Sequence, residues 1–472
     1  MSGGFTGDLR RYLLAGASAL GLLAFTTSAA NAQSVEDQLQ AMQAQIAALQ
    51  AEVQQAKAAA ASAQKTASAS PKSGDDIDLK VKWRGAPEFS SADGKFKMKV
   101  RGRLQADYNA IDQDQAITGR PDVSAAEIRR ARLGVEGIVW SDVFYIVEVD
   151  FANDTTALKD AYLEYQGLAK GLGLRFGHFK TPNSLEEMMS ANYLTFMERA
   201  AFVEAFGLDR QVGAGAFYGQ DNYTLAAGIF GPTSVNDELF LDDVKTGAAR
   251  ITAAPINNET TVVHVGASWR ERQGAEDLRS NPIPANDQLF RYRARGADLH
   301  LADRFVSTPQ IFNQDTFWGL EGLLIWKSFS LQGEYTQLSA DVAPGFVGSD
   351  PTYDGWYVEG NWFITGEKQA YKQGVIARPH VKNPVYEGGY GAWQIAARYD
   401  VLDLTDKATS IATCSLCGEQ QTWLIGLNWW LNDHTRFQFN YNESDIEGGF
   451  LTANLNDGAT IKGFGARAQV DW

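Results

Sequence analysis

Basic side chains at every second position are the first sign of chemistry in this chain. In FRYRARG (290–296), Arg291, Arg293 and Arg295 alternate with Tyr292 and Ala294. In GKFKMKVRGRLQADYNA (94–110), Lys97, Lys99, Arg101 and Arg103 stand opposite Phe96, Met98, Val100 and Leu104, and EIRRARLGVEG (127–137) adds Arg130 and Arg132 in phase with one another. A guanidinium presents forked donors matched to phosphate or carboxylate oxygens, whereas an ammonium is a compact charge that can hand an ion onward. A period of two places such groups in a row on one face of an extended segment. The chemistry on offer is therefore anion binding along a track. Catalysis finds little support: the five histidines are scattered at 178, 264, 300, 380 and 434, with no His-x-x-His or Glu-x-x-His grouping and no serine motif of hydrolase type. No spacing implies a metal or a cofactor.

The formal net charge is −15, so these basic rows are local departures from an acidic average, and net charge alone does not locate them. Acids gather elsewhere, in VNDELFLDDVK (235–245) and in the aspartates of 341–354. Nothing suggests nucleic acid. The basic rows themselves admit two readings: a lumen-facing ladder that attracts anions, or a solvated strand face paired with Glu136, Glu148, Asp150 or Glu164 of neighbouring strands.

The elements that must carry these residues begin after an export signal. Arg10 and Arg11 precede an apolar run from Tyr12 to Phe25, and Ala30-Asn31-Ala32 is a small-x-small cleavage site, so residues 1–32 read as a signal peptide removed before Gln33. The run is short for a bilayer-spanning anchor. Val35, Leu39, Met42, Ile46, Leu49 and Val53 then recur at heptad spacing, which predicts a short coiled-coil helix over 33–55 without settling dimer against trimer. A lone amphipathic helix is the alternative. The Ala/Ser/Lys-rich residues 56–78 read as a linker.

From 79 to 472 the periodicity is alternating. The 25 phenylalanines, 17 tyrosines and 12 tryptophans, with only two cysteines, suit aromatic-rich strands better than a disulfide framework. Alternating runs occur at 94–110, 126–140, 143–151, 157–167, 172–180, 210–219, 222–231, 245–254, 260–272, 314–326, 329–339, 353–363, 391–403, 419–431, 435–445 and 461–472. Sixteen strands, an even number, with tight turns such as Lys327-Ser328 alternating with long loops such as 181–209, predict an all-β, 16-stranded antiparallel transmembrane barrel. The chain ends on Trp472, an aromatic suited to an interfacial girdle. Strand parity also decides FRYRARG: as a seventeenth strand it would put tight turns and long loops at the same end. Residues 273–313 are therefore expected as one long external connection and 364–390 as an unusually long connection at the opposite end, both folding into the lumen.

The stretch RFGHFKTPNSLEEMMSANYLTFMERA (175–200) resembles the third-loop signature of the phosphate-selective porin O/P family, in which a strand ending Phe-Lys-Thr-Pro leads into a loop closing with Thr-Phe-Met-Glu-Arg-Ala. EIRRARLGVEG, FRYRARG followed by Arg304-Phe305, WFITGEKQAY (362–371) and GAWQIAARYDVLDL (391–404) support the resemblance. It implies a homotrimer of barrels in the Gram-negative outer membrane, in contact with lipid and lipopolysaccharide. Each barrel would conduct phosphate, pyrophosphate or polyphosphate along an arginine ladder to a central lysine site. By resemblance, Arg103, Arg130, Arg291, Arg293, Arg295 and Arg304 form the path, and Lys180, Lys372 and Lys382 the central site, completed by Ser184 as a hydroxyl donor and Asp154 as a tempering acid. Asn183 departs from the family at the constriction, where an aromatic is commoner. A general diffusion porin with weak anion preference, or a barrel enzyme or adhesin, are the competing functions. Cys414 and Cys417 lie in a predicted external loop of an exported protein, which allows a local disulfide or free thiols; a zinc site would need two more ligands nearby.

Overall fold

The computed structural model describes residues 79–83, 85–231, 245–274, 289–411, 414–448 and 456–472, with parts of a helix between 47 and 58. The chain divides into two compact units, Met1–Asp76 and Ile77–Trp472. In the first unit, residues 47, 48, 50, 51, 53–55, 57 and 58 are helical, so helix continues past the expected boundary at 55. The export signal and most of the heptad run and linker lie outside the described residues. Among the described residues, no helix is long and apolar enough to cross a membrane.

The second unit is built of strands. A hairpin of β1 (Leu79–Trp83) and β2 (Pro87–Ser91) precedes β3 (Lys97–Asp112), β4 (Val123–Val139), β5 (Val143–Asp150), β6 (Ala157–Ala169), β7 (Leu172–Lys180), β8 (Arg210–Gly219), β9 (Tyr223–Phe230), β10 (Lys245–Asn257) and β11 (Thr261–Gln273). After a small hairpin, β12 (Arg293–Arg295) with β13 (Arg304–Ser307), come β14 (Phe312–Trp326), β15 (Phe329–Val342) and β16 (Thr352–Phe363). A second small hairpin, β17 (Ala370–Lys372) with β18 (Val375–Ala377), is followed by β19 (Ala392–Asp403), β20 (Glu419–Asn432), β21 (Thr435–Glu447) and β22 (Thr460–Asp471). Leaving the three hairpins aside, sixteen wall strands pair antiparallel in sequence order, and β22 returns to β3, from Lys462 opposite Asp112 to Asp471 opposite Arg103. The barrel is closed.

The sequence pattern dictates this inside-out sheet. In β15, Phe329, Leu331 and Tyr335 face outward while Ser330, Gln332, Glu334 and Thr336 are buried inside. A lipid-exposed wall around a polar lumen requires that alternation. Exposed Trp140, Trp326, Phe329 and Trp362 ring the end of the barrel that carries the short turns, the position of an interfacial aromatic belt. The final residue joins it: Trp472 pairs its backbone with Gly102 in both directions at 3.1 Å, and its ring lies where a Cβ on residue 102 would sit, 2.1 Å from the nearest ring atom. Only glycine admits the terminal ring there.

Parity holds at both ends. One end carries turns such as 140–142, 170–171 and 327–328, and also the long connection 364–391; the other carries 181–209 and 274–311. The described residues of all three long connections turn inward. Residues 200–208 and 289–312 form one hydrophobic core with inward side chains of the wall, including Phe317, Leu338, Tyr353, Tyr357, Leu402 and Ile461. Leu185, Met189 and Leu194 meet Ile376 of the 364–391 connection against Val262, Leu323 and Ile325. FRYRARG is not a wall strand, yet its alternation is real. Residues 293–295 pair with β13 inside the barrel, burying Tyr292 and Ala294 and leaving Arg291, Arg293 and Arg295 on the open side.

Candidate functional site

The lumen is divided by the 181–209 connection. Its backbone is held along one wall by inward side chains of β3, β20, β21 and β22. Gln105 donates to Ala191 O at 3.4 Å, Asn428 to Thr195 O at 2.9 Å, Arg436 to Leu194 O at 2.8 Å and Gln469 to Asn192 O at 3.2 Å. At the start of this connection Glu334 of β15 accepts from Ser184 Oγ (3.1 Å) and from the backbone N–H groups of Leu185 and Glu186 (both 2.8 Å), capping the short helix Leu185–Met188. Arg398 of β19 bridges Glu359 and Glu186 behind it.

On the other side of this connection, against β3 to β8, lies a cavity of about 490 Å³ lined by eleven basic and eight acidic side chains. Two β-bulges increase its charge. The register of β3 on β4 slips between Gln105–Arg130 and Ala106–Ile128, so Arg129 is an extra residue, and both Arg129 and Arg130 reach Glu198. A second slip between β5 and β6 leaves Lys159 and Asp160 together opposite Glu148, and both line the cavity. Lys180, where the 181–209 connection leaves β7, donates to Glu187 O and to Met189 O (2.8 Å), with its Nζ 3.5 Å from Glu187 Oε1. Arg199 stands 3.3 Å from the same carboxylate.

Above this cavity two further spaces, of about 360 and 560 Å³, are lined by Arg291, Arg293 and Arg304, with Arg272 in the first and Arg120 and Arg295 in the second. Glu204 in the first, and Arg295 and His300 in the second, also line the main cavity, so the basic lining is continuous. Tyr292 fixes the hairpin that carries the arginines: its ring lies 5.3 Å from Phe312 and 5.6 Å from Tyr353, and its hydroxyl donates to Asp315 at 2.9 Å. Neither Arg291 nor Arg293 has an acid within ion-pairing distance among the described residues. Burial, then the neighbouring Arg304 and Arg291, lowers the pKa of Arg293, as a crowd of like charges does. Burial would raise the Glu198 carboxyl, but Arg129, Arg130 and Arg467 together hold it well below the usual carboxylate range.

The family of phosphate-selective porin O and P matches residues 98–472. The chain belongs to that family. Porin O of Pseudomonas aeruginosa is 29% identical over 420 residues, covering 80% of this chain and 92% of that protein. An uncharacterized protein of Caulobacter vibrioides is 30% identical over 411 residues, covering 83% and 77%. Among solved structures, an anion-selective porin from Comamonas acidovorans superimposes with a TM-score of 0.51 at 10% identity, over 80% of this chain and 100% of that one, a likeness of fold. An O/P-family barrel is a channel of the Gram-negative outer membrane and not an enzyme.

The residues that the O/P resemblance singled out separate into two groups. Arg103, Arg130, Arg295 and Lys180 line the main cavity, and Arg291, Arg293 and Arg304 the spaces above it. Arg103 is 5% exposed; its Nη2 donates to Ser190 Oγ at 3.3 Å, and its Nε has no partner. The other four do not line this cavity. Ser184 is buried against β15 with its hydroxyl on Glu334. Asp154 is exposed on the β5–β6 connection, in a short turn where its φ is 54°. Lys372 and Lys382 are exposed on the 364–391 connection, with Lys382 Nζ on Gly366 O. That connection instead sends Arg378 to Asp471 and to the ring of Tyr193, 5.2 Å away. Asn183 is also buried, donating to Thr181 Oγ1 at 2.8 Å, and does not line the cavity.

Of the seven other cations that line the cavity, Arg129, Lys159, Arg199 and Arg210 are not foreseen from the sequence. Arg129 and Lys159 owe their direction to bulges, which strict alternation conceals. Arg199 and Glu198 sit in the quoted ERA motif but gain a direction only from how the connection docks. The competing reading of the basic rows also holds in part: Arg101 meets Glu136 at 2.6 Å, Arg132 meets Asp150 at 2.8 Å and Arg175 meets Glu164 at 2.6 Å. The acidic stretch 235–244 lies outside the described residues. Cys414 and Cys417 form a disulfide pair, Cα atoms 5.4 Å apart, beside Leu416, whose carbonyl accepts from Ser307 N of β13 at 2.8 Å.

Proposed function

We propose that this barrel is an anion-selective diffusion channel that prefers phosphate, pyrophosphate or polyphosphate. The anions enter past Arg291, Arg293, Arg304 and Arg295 and reach a central site where Lys180, Arg103 and Arg130 converge with Arg199, Arg210 and Lys159. The observation that carries this reading is the unbroken basic lining from the outer spaces to the main cavity, in a chain whose net charge is −15. Arginines match oxyanions by their forked donors, and a lysine ammonium is a compact charge that can hand an ion onward. Porin O and the anion-selective porin of Comamonas acidovorans carry names that agree with it. In this proposal the mature protein begins after residue 32, the heptads of 33–55 associate, and three barrels assemble in a membrane that carries lipid and lipopolysaccharide.

A general diffusion porin with weak anion preference is the second reading, favoured by the eight acids that share the main cavity. Single-channel chloride current with added inorganic phosphate separates the two. Block at low phosphate concentration supports the first reading; chloride current indifferent to phosphate overturns it.

A further inference from the structure

We propose that three carboxylates of the 181–209 connection, Glu187, Glu198 and Glu204, act as resident anions that a permeating anion displaces one after another, setting its residence time and the charge selectivity of the pore. The inference rests on the anion-path reading above and deepens it. Glu204 lines both an outer space and the main cavity, and is shared by Arg295 and Arg304, the latter at 2.7 Å. Glu198 is gripped by Arg129 through both carboxylate oxygens (2.8 and 2.9 Å), by Arg467 at 2.8 Å and by Arg130 at 3.4 Å. Glu187 stands between Lys180 at 3.5 Å and Arg199 at 3.3 Å, and its Oε1 has no hydrogen-bond partner. Side-chain exposure falls inward along the series, from 37% to 17% to 4%.

A carboxylate offers a guanidinium the same pair of oxygens that a phosphate does. A lumen with eleven basic side chains and no acids would hold a multivalent oxyanion too long, since conduction needs sites weak enough to leave. Here each incoming anion exchanges places with a tethered one. The displaced carboxylate remains beside it, carries like charge, and drives it toward the next cation. Both backbones that matter most are fixed: Arg199 donates to Glu186 O at 2.9 Å, and Arg398 to Glu198 O at 3.4 Å, so the exchange requires only a side-chain rotation. The acids that hold the fold are arranged differently. Asp107 binds Arg467 through both oxygens at 2.7 and 2.6 Å and lines no part of the path.

The test uses the full-length protein in planar bilayers, as wild type, Glu187→Gln, Glu198→Gln and Glu204→Gln. The chloride-to-potassium permeability ratio is read from the reversal potential in a KCl gradient, and the half-blocking concentration from added inorganic phosphate. Each glutamine should raise the permeability ratio and lower the half-blocking concentration roughly tenfold, the size of one charge-assisted hydrogen bond, with longer individual blocks. Glu443→Gln removes an equal charge from an outward-facing pair with Lys462 (3.7 Å) and should change neither quantity. Wild-type ratio and wild-type block in all three glutamine variants overturn the inference. If phosphate does not block the wild type, the phosphate reading fails, and the permeability ratios alone decide the role of the carboxylates. Glu204, the most exposed of the three, keeps the test available if Glu198→Gln does not assemble.

Discussion

Two sets of arginines face the same lumen and do opposite things. Arg398, Arg436 and Arg467, on β19, β21 and β22, are at most 1% exposed, and each is fully engaged. They bind Glu186 and Glu359, Leu194 O and Gln469, and Asp107 with Met197 O, so they bolt the 181–209 connection to the wall. Arg291 and Arg293 hold no acid at all among the described residues and border open space. Side-chain type, strand phase and inward direction do not distinguish the sets. What separates them is how far a connection has docked over the guanidinium.

That contrast is most sharply broken at Arg398. Arg398→Met should leave Glu186 and Glu359 as unpaired buried charges, destabilising the docked connection by about 3–5 kcal/mol. Larger chloride conductance, loss of phosphate block and a lower unfolding temperature should appear together; undiminished block in a stable variant would show that the covered wall is not what shapes the pore. Next in size, Lys180→Glu should abolish phosphate block, read as the chloride current that survives phosphate addition. Replacing Arg291 and Arg293 together by alanine should slow the onset of block several-fold, most at low salt, because steering charges act on entry. Their removal should change stability by no more than about 0.5 kcal/mol. The smallest effect is expected from Lys372→Ala and Lys382→Ala, whose block and conductance should match the wild type; a clear loss of block in either would bring the 364–391 connection back into the central site.

Much of the wall was legible because two constraints act on every strand: apolar residues must meet lipid and polar ones the lumen, and turn length must alternate with strand parity. These place the sixteen wall strands within a few residues and mark 273–313 as a connection, but not the small hairpins β12–β13 and β17–β18 inside the lumen. The hairpin β1–β2 is not legible in the same way, since five-residue strands outside the barrel answer to neither constraint. At the site, Arg103 and Arg130 followed from phase, whereas Arg129 and Lys159 did not, since a bulge turns an outward residue inward without altering the composition around it. Ser184, Asp154, Lys372 and Lys382 came from resemblance in connecting segments, where side-chain direction is set by docking contacts far away in sequence. Ser184 shows this well: its hydroxyl is taken by Glu334, 150 residues later. Glu187, Glu198 and Glu204 stand in or just after the stretch that carried the resemblance, and only the fold shows which cations they face.

The pairing of β22 with β3 has a consequence for how such a molecule is made. Gln105 donates to Gln469 at 2.6 Å, across 364 residues. A chain that lacks β22 cannot make this closure, however much of it has been exported. Neighbour-to-neighbour strand pairing can accumulate gradually, but enclosure arrives all at once, with the last dozen residues and the ring of Trp472 over Gly102. A message truncated near its end therefore yields no narrower or leakier version of the conduit, only an open ribbon with two unpaired edges, the kind of surface that aggregates or is degraded.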